Sequence, residues 1–133
     1  MVLEQLIKHI NTVRPLSANQ YGFRAGRSTV ANLLACDAAI VKLLDRKEDF
    51  DIISFDFQRA FDKVPHDHLL QSLSELNLHP SSLSWFTSFL QDRTQRVVVG
   101  KAVSVASDVT SGVPQGSVIS PTLFCIFIDS QPC

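Results

Sequence analysis

Apolar positions recur at helical spacing along most of the chain. Val2, Leu3, Leu6, Ile7, Ile10 and Val13 predict a first helix over residues 2–13, which Pro15 ends. Residues 17–27, with Gly22 and Gly26, read as a loop. Ser28 or Thr29 is placed to cap a second helix carrying Val30, Leu33, Leu34, Ile40, Val41 and Leu44 on one side. A charged connector, Asp45 to Asp51, then leads into Ile52-Ile53-Ser54-Phe55, a strand-like run closed by Asp56. Beyond Pro65 a helix near 67–76 buries Leu69, Leu70, Leu73 and Leu76. Another begins at Pro80, a good first-turn residue, and buries Leu83, Phe86, Phe89 and Leu90, with Trp85 also in the core. The polar break Gln91 to Gln95 precedes Arg96-Val97-Val98-Val99, where Gly100-Lys101 forms the turn of a hairpin returning through Val103 and Val105. After a loop at 111–119, Ser120-Pro121 supplies a cap and a first-turn proline for a helix over Leu123 to Ile128. This mixed order predicts an α+β fold, a sheet with helices on one face.

Composition narrows the class. The 133 residues suffice for one domain or part of a larger one, and 45% hydrophobic with 19% charged residues is a globular balance. A net charge of −1 shows no overall basic bias, so any phosphate contact falls to local arginines. No run is long enough to span a membrane, and Met1-Val2-Leu3-Glu4-Gln5 does not open a secretory signal. Cys36, Cys125 and Cys133 are odd in number and far apart, which reads as reduced, mostly core-filling thiols of an intracellular protein, nuclear or cytoplasmic, not secreted.

Several residues could carry chemistry. Asp56 ends a buried strand where a ligand can approach, although spacing alone favours a carboxylate that merely caps a strand-to-turn junction. Asp62, six residues on, reads as a structural acid paired with Arg59 or Lys63. Phe61 by itself reads as a core phenylalanine. Gln115 sits between Pro114 and Gly116, with Gly112 nearby; the glycines permit close approach to a ligand, and the amide both donates and accepts. Arg24 and Arg27 precede a helix N-terminus, where guanidinium forks favour phosphate oxygens. Arg93 and Arg96 read as strand-end solubility rather than contacts to nucleic-acid backbone. His66 and His68 flank Asp67, but on a helix their rings point about 200° apart and cannot share an ion, so Asp67 reads as an N-cap.

Three segments together resemble one family. They are Asn19-Gln20-Tyr21-Gly22-Phe23-Arg24-Ala25-Gly26-Arg27-Ser28-Thr29, Asp56-Phe57-Gln58-Arg59-Ala60-Phe61-Asp62, and Ser111-Gly112-Val113-Pro114-Gln115-Gly116-Ser117-Val118-Ile119-Ser120-Pro121. In this order they resemble the fingers block and the first two palm blocks of reverse transcriptases, most closely those of non-LTR retrotransposons. The resemblance covers residues 17 to 128 and implies a right-hand polymerase, with fingers-like residues 1–50 and a partial palm over 51–133. It implies that Asp56 bridges two Mg²⁺ ions (Mn²⁺ in some cases), and that Phe61 packs beneath the incoming sugar and excludes a 2′-hydroxyl. Phe57, Gln115 and Gly116 join the nucleotide site, and Arg24 and Arg27 handle triphosphate and template. Its partners would be an RNA template, a DNA primer and dNTP, with no membrane.

There are departures from the pattern. Arg59 stands where a lysine is common, and Ile128-Asp129-Ser130-Gln131-Pro132 stands where an Ile-Asn-Asp-Leu-Pro stretch is usual. The family's third block, an aromatic-x-Asp-Asp tetrapeptide, does not occur. Two metal ions roughly 3.5–4 Å apart need more than one carboxylate. The expectation is therefore a polymerase fragment, inactive alone and needing the C-terminal palm and thumb. The alternative is a non-catalytic remnant that binds nucleic acid or protein weakly. Either way the strand ending at Asp56 would lack the hairpin it pairs with in the family.

Overall fold

The computed structural model of the chain describes residues 2–131. Five helices are α1 (Val2–Val13), α2 (Thr29–Asp45), α3 (His66–Ser74), α4 (Pro80–Leu90) and α5 (Ser120–Asp129). Four short strands, β1 (Arg93–Gln95), β2 (Val98–Val99), β3 (Ala102–Val103) and β4 (Ser107–Val109), lie between α4 and α5. They form two antiparallel pairs, β1 with β4 and β2 with β3. The α+β class holds. A single sheet with helices on one face is not formed: the described residues make these two small ladders instead.

The expected strand over 52–56 is the main correction. Residues 51–57 have no regular structure, and Ile53 and Phe55 are 74% and 84% exposed. A strand exists only when a neighbour takes up its backbone hydrogen bonds. Among the described residues no strand pairs with this segment, so its β-favouring side chains have nothing to pack on.

The chain divides into two compact units, residues 17–58 and residues 1–16 with 59–133. In the first, Ser28 caps α2 by accepting from the Ala31 amide, as its hydroxyl and extended backbone predict. The helix closes on Lys47, whose φ of 55° lets the Glu48 amide reach the Leu43 carbonyl and its own amide reach Leu44. That left-handed closure usually takes glycine. None of α2 is buried, so Cys36 is exposed rather than core-filling.

The second unit holds the core. Leu6 and Ile10 of α1 join Val64, Leu69, Leu73, Leu76, Phe86, Leu90, Val113, Ile119, Leu123 and Ile126. Helix α3 packs on both α4 and α5. His9 ties α1 to the end of α3 by donating from Nε2 to the Leu76 carbonyl at 2.7 Å. Cys125 is buried as expected, whereas Cys133 lies outside the described residues. Trp85 is not core: it is 43% exposed and stacks on Phe89 with ring centroids 5.3 Å apart. Phe86 and Leu90, one turn apart, take the inward face of α4, and Trp85 lies about 100° round from Phe86.

Two helix starts also differ from expectation. Helix α3 begins at His66 with Pro65 in the cap position, so Asp67 is inside the first turn. Its carboxylate there still meets the positive end of the helix dipole. In α5 the cap position belongs to Ile119, and Ser120 is the first helical residue. The Ser120 hydroxyl donates to the Pro114 carbonyl at 2.7 Å, bracing the preceding loop instead of its own helix. The 91–95 break contains β1, whose partner β4 lies beyond Val105; Val105 itself is outside both ladders and 87% exposed.

Candidate functional site

The segment 59–66 and the loop 111–120 are joined along their length. An antiparallel bridge pairs Pro65 with Ser111. The Gly112 amide donates to the Val64 carbonyl and the Val113 amide to the Phe61 carbonyl, each at 2.8 Å. The Ser111 hydroxyl donates to the Asp62 carbonyl at 2.9 Å. Buried Val64 and Val113 add an apolar anchor on either side of this seam.

Gly112 shows why the loop needs its composition. Its φ is +87°, a conformation that side chains disfavour. A Cβ there would lie only 2.7 Å from the Cα and carbonyl oxygen of Asp62. Gly116 shares the left-handed backbone, at φ +81°, but has open space around it.

The loop carbonyl at Gly112 is held by two donors. His66, buried, donates from Nε2 at 2.9 Å, and Arg93 donates from Nη2 at 2.8 Å. Nε2 must carry the proton to bond a carbonyl, so its 3.4 Å separation from Arg93 Nη2 is the spacing of two donors sharing one acceptor. Arg93 also donates from Nε to the Leu90 carbonyl at 2.8 Å, tying the end of α4 to the loop. Burial pushes the Arg93 guanidinium below its usual pKa. The sequence reading of Arg93 as a solubility residue is therefore corrected: it clamps the loop. A polar residue between an apolar helix and a hairpin gives no sequence signal for that role. His66 likewise serves the backbone.

These contacts border an open groove of about 670 Å³, lined in part by Arg59, Asp62, Thr94, Asp108, Pro114 and Gln115. The Gln115 amide donates from Nε2 to the Asp62 carboxylate at 2.7 Å. Phe61 lies half-buried at the seam, its ring stacked on Phe124 with centroids 4.9 Å apart. So three residues singled out in the sequence, Phe61, Gln115 and Gly116, come together in this unit, and Asp62 joins them through Gln115.

The remaining sequence candidates lie in the other compact unit. Arg24 donates to the Ser17 carbonyl at 2.6 Å and Arg27 to the Ala18 carbonyl at 2.8 Å. Arg27 also stands 4.8 Å over the Tyr21 ring. These bonds fold the 17–27 loop on itself. Asp56 and Phe57 are both exposed in the irregular 51–57 segment.

The fit of a metal can be judged from the donors. Among the described residues no group of three or more His, Cys, Asp or Glu side chains stands close enough to hold an ion. The described residues therefore gather no donor set of the kind that the two-ion site implied by the resemblance needs. A second groove, about 600 Å³ and lined by Leu6, His9, Leu78, Trp85 and Phe86 among others, contains none of the sequence candidates. No helix among the described residues is long and apolar enough to cross a membrane.

Comparison with known proteins places this seam in context. Residues 2–132 match the family described as reverse transcriptase (RNA-dependent DNA polymerase). A protein of Drosophila melanogaster named "Probable RNA-directed DNA polymerase from transposon BS" is 37% identical over 120 residues, covering 90% of this chain and 13% of the relative. The RNA-directed DNA polymerase from mobile element jockey of the same fly is 31% identical over 132 residues, 99% of this chain and 14% of the relative. The Pol polyprotein of the type-1 retrotransposable element R2 of Popillia japonica is 27% identical over 129 residues, 96% of this chain and 18% of the relative. The chain thus spans less than a fifth of the length of these relatives. Its glycine-permitted seam joins the two segments by which the sequence resembled the palm blocks, and the match runs through both: the chain belongs to the reverse transcriptase (RNA-dependent DNA polymerase) family, in the form carried by non-LTR retrotransposons.

Proposed function

We propose that this chain forms the nucleotide-handling part of an RNA-directed DNA polymerase that adds dNTPs to a primer 3′-hydroxyl on an RNA template. The observation that carries the reading is the seam between residues 59–66 and 111–120. It brings Phe61 and Gln115 into one unit from separate family blocks, and family membership supplies the reaction class. In this reading the 17–27 loop, with Arg24 and Arg27, belongs to the fingers and meets the triphosphate and template. Residues 51–133 belong to the palm.

Each side chain has a task suited to its chemistry. Gln115 offers an amide to the sugar or base of the bound nucleotide. Gly116, with open space around it, lets that nucleotide approach the backbone. Phe61 presents an aromatic wall, and Phe57 contributes apolar surface. Asp56 supplies one carboxylate of a Mg²⁺ site that needs further carboxylates from elsewhere in the polypeptide. The chain alone is accordingly inactive in this proposal.

Primer extension on an RNA template tests it, in a polymerase polypeptide that carries this segment and a paired-aspartate block. Asp56→Ala should abolish synthesis, and Gln115→Ala should raise KM for dNTP, both with the melting temperature unchanged. Full activity in both variants would overturn the proposal.

A further inference from the structure

The contact between Gln115 and Asp62 has a chemical direction. A carboxylate only accepts hydrogen bonds, so the amide must turn Nε2 toward Asp62, where the separation is 2.7 Å. That choice fixes the other end. The amide oxygen Oε1 is turned away from Asp62, and one N–H of Nε2 is already engaged. An unrestrained glutamine at an exposed position would sample both amide orientations, and several rotamers, at little cost.

Asp62 is itself well held. Its backbone carbonyl takes the Ser111 hydroxyl, its amide donates to the Arg59 carbonyl at 3.0 Å, and its backbone lies against Gly112. The backbone that carries the Asp62 carboxylate is thus fixed against the loop, and the carboxylate meets Gln115 from it. Both line the same groove, with Arg59 beside them.

We propose that Asp62 is a positioning residue that aims Gln115, presenting Oε1 to the ligand as a hydrogen-bond acceptor. The group Gln115 selects is then a donor on the bound nucleotide, a sugar hydroxyl or a base N–H, rather than an acceptor such as a phosphate oxygen. This rests on the reading of Gln115 as a nucleotide contact and adds the residue that sets its polarity.

The test is a double-mutant cycle in the same polymerase polypeptide, reading KM and kcat for dNTP on an RNA template together with melting temperature. Gln115→Ala and Asp62→Ala should each raise KM about five- to tenfold, in keeping with loss of one oriented hydrogen bond. The double variant should be no worse than Gln115→Ala, because Asp62 acts only through Gln115. Gln115→Glu, which sets two carboxylates together, should be impaired more than Asp62→Asn/Gln115→Glu, where an Asn amide donates to the new carboxylate and an acceptor still faces the ligand. Three results overturn the proposal in distinguishable ways. Raised KM in Gln115→Ala with unchanged KM in Asp62→Ala would remove the positioning role and leave the nucleotide contact standing. Unchanged KM in Gln115→Ala would remove the contact itself. A role of Asp62 in stability alone would lower the melting temperature without moving KM, which also overturns it.

Discussion

Gly112 and Asp62 meet backbone to backbone: a Cβ on Gly112 would stand 2.7 Å from the Asp62 Cα and 2.8 Å from its carbonyl carbon. No side chain fits that gap, and the hydrogen bonds at Val64, Phe61 and Asp62 depend on its being empty. The approach brings the segments 59–66 and 111–120 together, and with them Gln115 and the carboxylate that it meets.

Gly112→Ala should therefore be severely destabilising, by about 2–4 kcal/mol, combining a left-handed backbone with overpacking against fixed main chain. Gly116→Ala meets no neighbour and should cost only about 1–2 kcal/mol from its backbone conformation. Urea denaturation of the two variants measures the contrast. Equal losses would show that the close approach at Gly112 does not constrain the fold.

Arg93→Met should cost about 1–3 kcal/mol, since it strips donors from the Leu90 and Gly112 carbonyls in a partly desolvated place. His66 would keep one bond to Gly112, which limits the damage. Arg93→Lys should be nearly as harmful, because one ammonium cannot reproduce the fork that spans both carbonyls. A lysine variant with wild-type stability would show that charge, not geometry, is what the position supplies.

Phe61→Val separates sugar gating from packing in an active polymerase. If the ring excludes a 2′-hydroxyl, the ratio of kcat/KM for dNTP over rNTP should fall at least about tenfold, roughly 1.4 kcal/mol of differential transition-state binding. Some stability should go with it, since the ring is stacked on Phe124. A destabilised enzyme with intact discrimination would make Phe61 a packing residue only.

Asp56→Asn should be nearly as damaging to synthesis as Asp56→Ala, because the amide keeps the shape but not the charge. Neither should alter stability much, as Asp56 is exposed. Asp62→Asn should be milder, raising KM more than it lowers kcat. Steady-state kinetics with melting curves distinguishes the two acids, and identical kinetic losses at both would sink the separate roles.

Elements with local signals were legible along the chain. Helical periodicity placed α1 at Val2–Val13, Ser28 marked the start of α2, Pro80 the start of α4, and Gly100-Lys101 the β2–β3 turn. Three ordered motifs also carried the family. Tertiary structure decided what depends on partners distant in sequence. Ile52 to Phe55 has strand chemistry but no neighbouring strand among the described residues, so no strand forms. Trp85 is apolar enough for the core, yet the turn of α4 gives that place to Phe86 and Leu90. Arg93 looked like a solvated charge until Leu90 and Gly112 turned their carbonyls to it. The partner of Gln115 lies 53 residues earlier in the chain. Periodicity and capping report a residue's fit to its own few neighbours; which backbone groups meet across dozens of residues is settled only when the core closes around Val64, Leu69, Val113 and Leu123.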